Sequence, residues 1–309
     1  MVLDQNLRYY GFGLMVGVSN LAHNGFVLGP KKTVGKIFQP VSSYGKFPEY
    51  CFIGERVERH LTSSPGTRAK VLDVGSPKLL GLYLASRYAV DLQLTDISHL
   101  NVDEYRLLWN SVKHRALGTA CFSLLDARVL PYAAATFDVV YSISVVEHVE
   151  GEHGDSRSVS EMIRVLKPGG LLLLTVPCGI DYVEQQRVGF RGAVEKTEDS
   201  RRYFFQRIYN QAACEARLLT DSKQLENVSL ITAYRRFPFL AHLWGCLGQD
   251  LRGILGFLNP WLSAVVNRSC EGFCDKAGAR YGPLFQEGDV VGNLMIAATK
   301  RCHRGAHSG

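Results

Sequence analysis

The sequence lacks internal repeats, low-complexity tracts and a strong excess of one charge. Its 309 residues are 46% hydrophobic and 21% charged, which excludes an intrinsically disordered chain. The formal net charge of +6 is a small excess spread along the chain, so it does not indicate a nucleic-acid-binding protein. We therefore expect a folded chain whose partner is a small molecule and not a nucleic acid.

A disulfide framework and a zinc motif are also missing. Most of the eight cysteines lie beside apolar residues, as in Cys121-Phe122, which favours buried thiols in a reducing compartment. Cys270 and Cys274 lie four residues apart, but the spacing fits no strong zinc pattern and lacks the third cysteine of an iron–sulfur triplet. We predict no metal site and a cytoplasmic location.

No uninterrupted apolar run reaches the roughly 20 residues that span a bilayer. Residues 9–29 contain no Lys, Arg, Asp or Glu, yet Asn20, His23, Asn24 and five glycines interrupt them. A basic leader with a small-residue cleavage site is not evident. We therefore interpret this stretch as a soluble N-terminal segment.

The middle of the sequence alternates short β-rich runs with helical patterns, which is typical of a doubly wound, mainly parallel α/β sheet. Strands are predicted at Lys70 to Gly75, Val90 to Thr95, Ala120 to Leu125, Phe137 to Ser142, Leu171 to Val176, Val228 to Tyr234 and Val291 to Thr299. Helices are predicted at Cys51 to Leu61, Leu79 to Arg87, Asp103 to Arg115 and Ser156 to Leu166, and a further helix begins at Arg201 to Phe205.

We divide the chain into an N-terminal cap segment (1–62), a core (63–236), a helical insertion (237–288), the last core strand (289–300) and a tail (301–309). The insertion contains two uncharged, aromatic-rich runs, each too short to span a bilayer. We interpret it as a helical cap on the sheet. The alternative that residues 237–266 contact a membrane surface or an apolar substrate stays open. The oligomeric state is not predicted.

Polar residues at the carboxyl ends of the strands are the candidate ligands, because open parallel sheets bind ligands there. Asp96 follows Gly75 by about 20 residues, a spacing that suits a carboxylate accepting hydrogen bonds from two ribose hydroxyls. The Gly-x-Gly-x-x-Gly loop of NAD sites is absent: Pro77 lacks an amide donor for a pyrophosphate, and Lys78 adds bulk. These residues favour an adenosine cofactor without phosphates and disfavour an NAD-dependent oxidoreductase.

Within about Lys70 to Pro177, the order and spacing of several motifs resemble the class I S-adenosylmethionine-dependent methyltransferases, and most of all their small-molecule, type 11-like branch. The motifs are Val71-Leu72-Asp73-Val74-Gly75, Leu94-Thr95-Asp96, Leu125-Asp126-Ala127, Phe137-Asp138-Val139-Val140, Val146-Glu147-His148 and Glu161 to Gly170. The resemblance implies a seven-stranded Rossmann-like sheet with an antiparallel last strand, and S-adenosyl-L-methionine as the cofactor.

The resemblance also implies roles for individual residues. It assigns the methionine part of the cofactor to Asp73, Gly75, Ser76 and Ser142, the ribose to Asp96, and the adenine to Ile97, Asp126 and Ala127. His148 is the candidate base for an acceptor hydroxyl, ahead of His153 and Tyr182, although many such enzymes use no dedicated base.

The reaction that the resemblance implies is an in-line methyl transfer to a hydroxyl or amine of a small metabolite, and the aromatic-rich insertion favours an apolar one. The alternative is a methyltransferase-like binding or scaffold protein without turnover, which the unusual Ser76-Pro77-Lys78 loop favours. A nucleic-acid methyltransferase is disfavoured, because no Asn-Pro-Pro-Tyr-like loop or strong basic patch is present.

Overall fold

The computed structural model describes residues 2–24, 47–63, 68–188, 202–235, 258–271 and 292–302. The elements up to the fifth strand are α1 (Val2–Asn24), α2 (Phe47–Ser63), β1 (Ala69–Val74), α3 (Leu79–Arg87), β2 (Val90–Asp96), α4 (His99–Val112), β3 (Thr119–Leu124), β4 (Phe137–Ile143), α5 (Gly154–Val165) and β5 (Leu166–Cys178). Those that follow are β6 (Val183–Val188), β7 (Arg202–Ile208), α6 (Gln211–Arg217), β8 (Leu225–Arg235), α7 (Asn259–Val266), β9 (Asn267–Glu271) and β10 (Gly292–Lys300).

The central sheet has the strand order β3-β2-β1-β4-β5-β10-β8-β9. Strands β1 to β5 pair in parallel, and β10 lies antiparallel between β5 and β8. The predicted doubly wound sheet with an antiparallel last strand is therefore confirmed. The sheet has eight strands and not the predicted seven, because β9 pairs antiparallel with the edge strand β8.

Both faces of the central strands β1, β4, β5 and β10 are covered, which explains why these strands are largely apolar runs. Neighbouring side chains along one strand enter different cores: Val71 packs in the cluster with α1 to α4, whereas Leu72 packs in the cluster with α5 and α6. Val139 and Val140 on β4 divide in the same way. Helices thus cover the two faces of these central strands, and the ends of the strands are left open to a ligand.

Strands β6 and β7 form a separate two-stranded antiparallel ribbon, here called the β6–β7 ribbon. The helix predicted from Arg201 to Phe205 is wrong, because β7 occupies this part of the chain. The run Tyr203-Phe204-Phe205 consists of strand-favouring aromatic residues, and it gains a partner in β6.

Most of the predicted insertion, residues 237–257 and 272–288, lies outside the described residues, as do residues 25–46 and 303–309. The division into segments therefore stays a prediction. None of the helices in the described ranges combines the length and the hydropathy of a bilayer-spanning helix.

Candidate cofactor cleft

A cleft of about 460 Å³ opens at the carboxyl ends of β1 to β4. This volume lies in the range of roughly 300–1,000 Å³ that is typical of small-molecule sites. Six of the nine predicted site residues line it: Gly75, Asp96, Ile97, Asp126, Ala127 and His148. The other three, Asp73, Ser76 and Ser142, are buried behind its wall.

Gly75 lies in the cleft wall directly after β1. Its φ of +71° is in the left-handed region, which glycine tolerates best, and its N–H donates to the Thr95 carbonyl at 3.0 Å. A Cβ atom at this position would lie 2.6 Å from Cγ1 of Val145. Both the backbone conformation and this contact require glycine after β1.

Lys78 is folded beneath the loop and does not project into the cleft. Its Nζ lies 3.0 Å from Oδ1 of Asp73 and 3.8 Å from Oδ2 of Asp96, and its side chain is only 1% exposed. Burial raises the pKa of Asp73, and the Lys78 ammonium opposes that rise. The residue that looked like an obstruction in the sequence is a buried counter-ion for the acids at the ends of β1 and β2.

Hydrogen bonds of Ser76 and Ser142 hold the loop after β1, residues 75–78, against β4. The Ser142 hydroxyl donates to the Val74 carbonyl at 2.8 Å, and the Ile143 N–H donates to the Ser76 hydroxyl at 2.9 Å. The Ser76 N–H donates to Oδ1 of Asp73 at 3.0 Å. These side chains are bonded within the protein, so they shape the wall of the cleft, and a contact of Ser142 with a ligand stays a prediction.

Asp96 and Ile97 bring a carboxylate and an apolar side chain to the cleft at the end of β2. Asp96 accepts from the Ser98 N–H at 2.9 Å and from the Asn101 side-chain amide at 3.3 Å. Each carboxylate oxygen can accept two hydrogen bonds, so acceptor capacity remains. Ile97 is 73% exposed, which provides an apolar surface beside the carboxylate.

Asp126 is paired with Arg128 at the end of β3. The guanidinium Nη2 lies 2.6 Å from Oδ2, and the Arg128 N–H donates to Oδ1 at 2.9 Å. These hydrogen bonds lower the pKa of Asp126. Asp126 is therefore a carboxylate that is held in place beside Ala127 by its own ion pair.

His148 ends a short 3-10 turn after β4, and its Nδ1 lies 2.6 Å from the carbonyl oxygen of Phe205. A carbonyl only accepts, so Nδ1 carries the proton and Nε2 is the basic nitrogen of the neutral ring. Nε2 lies 3.8 Å from the buried carboxylate of Glu147. The other candidate bases, His153 and Tyr182, are absent from the lining of the described cleft.

The β6–β7 ribbon supplies a residue that the sequence did not reveal. Arg207 is 1% exposed, donates to the carbonyl of Val149 at 2.7 Å and also bonds the carbonyl of Gly151. Its Nε lies 3.0 Å from Glu184. Because residues 149–151 line the cleft, this buried guanidinium joins the ribbon to the cleft wall.

The described residues contain no group of three or more His, Cys, Asp or Glu side chains that is arranged to hold a metal ion. One of the two cysteines considered for this role in the sequence, Cys274, lies outside the described ranges.

Residues 72–174 match a protein family described as a methyltransferase domain. The phosphoethanolamine N-methyltransferase 1 of Triticum aestivum is 33% identical over 113 residues, which are 35% of this chain and 21% of that protein. The cycloartenol-C-24-methyltransferase 1 of Oryza sativa subsp. japonica is 31% identical over 140 residues, which are 42% of this chain and 38% of that protein. The chain thus spans well under half the length of these curated relatives.

Among solved structures, a SAM-dependent methyltransferase from Methanosarcina mazei is similar with a TM-score of 0.47 and 16% identity. The similarity covers 80% of this chain and 97% of that one.

Proposed function

We propose that this chain is a class I S-adenosylmethionine-dependent methyltransferase that transfers a methyl group to a hydroxyl or amine of a small metabolite. The match of residues 72–174 to a methyltransferase domain supports the proposal. The observation that carries the proposal is the meeting of Asp96, Ile97, Asp126 and Ala127 in one cleft of suitable size. These residues come from two separate strand ends, and the family resemblance assigns all of them to one adenosine group.

The residues of the cleft fit a cofactor that has an adenosine group and no phosphates. Pro77 offers no N–H, and the ammonium of Lys78 is directed towards Asp73 and Asp96, so the loop has no cation or amide cradle for a pyrophosphate. Asp96 would accept from the ribose hydroxyls, and Ile97 would pack on the adenine. Asp126 would accept from the adenine amino group beside the Ala127 amide.

S-adenosylmethionine, when bound, supplies an electrophilic methyl group on a sulfonium sulfur. His148 Nε2 is the basic nitrogen that lines the cleft, so it would accept the proton of an acceptor hydroxyl. The Phe205 carbonyl keeps the ring in this tautomer, and Arg207 holds the wall at residues 149–151. Such positioning can account for roughly 7–11 kcal/mol of a transfer barrier.

The cofactor assignment is tested by calorimetry with S-adenosylmethionine and its demethylated product. Asp96→Asn should weaken both affinities about tenfold to a hundredfold, because a hydrogen bond to a charged group contributes about 1.5–3 kcal/mol. Asp103→Asn, an exposed acid on α4, is the matched control and should bind as the wild type does. Absence of binding by the wild-type protein, or an unchanged affinity for Asp96→Asn, would contradict the proposal.

Turnover is tested with methyl-labelled cofactor and a cell extract as the source of acceptors. His148→Asn should lower the transfer rate about 10²- to 10⁴-fold to a hydroxyl acceptor while the cofactor dissociation constant stays unchanged. If the wild-type protein binds the cofactor and labels nothing, the alternative of a binding or scaffold protein without turnover replaces this one.

The acceptor class and the location are further parts of the proposal. The two curated relatives are named for phosphoethanolamine and cycloartenol, which supports a small-molecule acceptor.

Trp261 and Val265 on α7 are 46% and 57% exposed, which supports an apolar contact in the described part of residues 237–266. Six cysteines among the described residues are free thiols, which supports a cytoplasmic location.

A further inference from the structure

The outward face of α1 is apolar over most of its length. Its inward side chains, such as Tyr9, Phe12 and Val16, are buried in the core. The exposed positions recur at helical spacing at Asp4, Leu7, Arg8, Gly11, Met15, Val18, Ala22 and His23. Between residues 11 and 22 every exposed position is therefore Gly, Met, Val or Ala, whereas a helix on the surface of a globular protein normally presents polar residues there.

A second cleft, of about 360 Å³, lies beside this face, between α1 and the carboxyl ends of α3 and α4. Apolar residues form part of its lining, among them Phe12, Met15, Tyr83 and Val112. Basic residues also line it, namely Arg8, Arg87, His114 and Arg115. It shares no lining residue with the cofactor cleft.

Cations flank this surface without being neutralised by nearby acids. Arg87, Lys113 and Arg115 are exposed and form no ion pair with a carboxylate in the described part of the chain. Arg8 differs, because it approaches Asp4 and Glu58. The face therefore combines exposed apolar side chains with available positive charge.

We propose that this α1 face, defined by Leu7, Met15 and Val18 with the flanking cations Arg87, Lys113 and Arg115, docks on the surface of an anionic phospholipid bilayer. The apolar side chains enter the boundary between headgroups and acyl chains, and the cations contact the phosphates. The inference is independent of methyl transfer, since the docking surface and the cofactor cleft are built from different residues.

Charge favours a bilayer over two other occupants. In a symmetric dimer through this face, the same patch of each copy meets the other, so the cations of both copies would be gathered at one interface. A nucleic acid would match the cations but would leave the apolar residues of α1 without a partner. An anionic bilayer is complementary to both parts of the surface.

The test is flotation of the purified full chain with vesicles of phosphatidylcholine mixed equally with phosphatidylglycerol, and with vesicles of phosphatidylcholine alone. The wild-type protein should float with the anionic vesicles and should be released by salt. Met15→Glu/Val18→Glu and Lys113→Glu/Arg115→Glu should each lower the partition coefficient about tenfold or more. These side chains are exposed, so the variants should fold and should bind S-adenosylmethionine as the wild type does.

The controls are the single substitutions Val228→Glu and Lys223→Glu, which make the same two kinds of change at exposed residues outside this face. They should float as the wild type does. The proposal is overturned if the wild-type protein does not bind anionic vesicles, if both double variants bind as well as the controls, or if the face instead forms a dimer in solution. Loss of cofactor binding in the wild type would contradict the proposed function and leave this inference standing.

Discussion

Two strand ends of the cofactor cleft each carry an acid paired with a base, but in opposite surroundings. At the end of β1, Asp73 and Lys78 are 0% and 1% exposed and 3.0 Å apart. At the end of β3, Asp126 and Arg128 are 35% and 43% exposed and 2.6 Å apart. We expect the loss of the shorter contact to cost less, because water screens the exposed pair and replaces its lost partner, whereas a buried charge left alone has neither. Burial should therefore decide which pair maintains the cleft.

The variant Lys78→Met tests most directly whether burial governs the strength of the Asp73–Lys78 pair. This change leaves Asp73 buried beside an apolar side chain, so the free energy of unfolding should fall by about 3–5 kcal/mol. Denaturant unfolding followed by circular dichroism measures it. The double variant Asp73→Asn/Lys78→Met removes both charges and should recover much of the loss. A single variant as stable as the wild type would show that burial does not govern this pair.

Arg207 extends the comparison to a buried cation whose partners include main-chain carbonyls of the cleft wall. Arg207→Met removes its charge-assisted hydrogen bonds to Val149 and Gly151, so unfolding should become easier by about 2–4 kcal/mol. Affinity for S-adenosylmethionine should fall as well, because the wall loses its support. Arg207→Lys keeps the charge and should be intermediate in calorimetry. Normal affinity in a folded Arg207→Met protein would mean that the ribbon does not position the wall.

The strands of the core could be predicted from the sequence because each is a short apolar run that ends at a polar or glycine residue. The helix Leu79 to Arg87 and the start of the strand at Phe137 agree with the structure residue for residue. The approximate position of the cleft follows from the same pattern, since polar residues such as Asp96 come directly after buried strands. Local sequence is sufficient for these features because their causes are local.

The sequence could not reveal the contacts that join distant strands. Lys78 looked like bulk in a glycine loop, and only the pairing of β1 with β2 brings Asp96 within 3.8 Å of it. Strand β7 was predicted as a helix, because a short aromatic run suits either structure until a partner strand is known. Arg207 was missed for the same reason: its partners follow β4, almost sixty residues earlier in the chain.

The pH dependence of the stability of Lys78→Met tests the protonation of the buried Asp73. The pKa of Asp73 in the folded chain is raised above its ordinary value of 3.8, mainly by burial. The folded state then binds a proton on Asp73 more tightly than the unfolded chain does, so protonation of Asp73 stabilises the folded state. This stabilisation is fully present below about pH 3.8 and is lost as the pH rises through the raised pKa. Removal of Lys78 raises the pKa of Asp73 further, because the ammonium no longer stabilises the carboxylate. The stability deficit of Lys78→Met should therefore shrink by about 1.4 kcal/mol per pH unit of acidification between the pKa of Asp73 in the variant and its lower pKa in the wild type. Unfolding curves between neutral pH and about pH 4 measure the trend, and a deficit that grows in acid would reverse this assignment.

The smallest expected effect belongs to Arg128→Ala at the exposed pair. Asp126 keeps its hydrogen bond from the main-chain N–H of residue 128, and water replaces the guanidinium, so the free energy of unfolding should change by less than about 1 kcal/mol. High salt should erase even this difference, because it screens the pair in the wild type. The pKa of Asp126 should rise towards its usual range once the guanidinium is gone, since that group is the main cause of its lowering. A loss as large as that of Lys78→Met, measured by the same unfolding curves, would show that contact length and not burial sets the strength of these pairs.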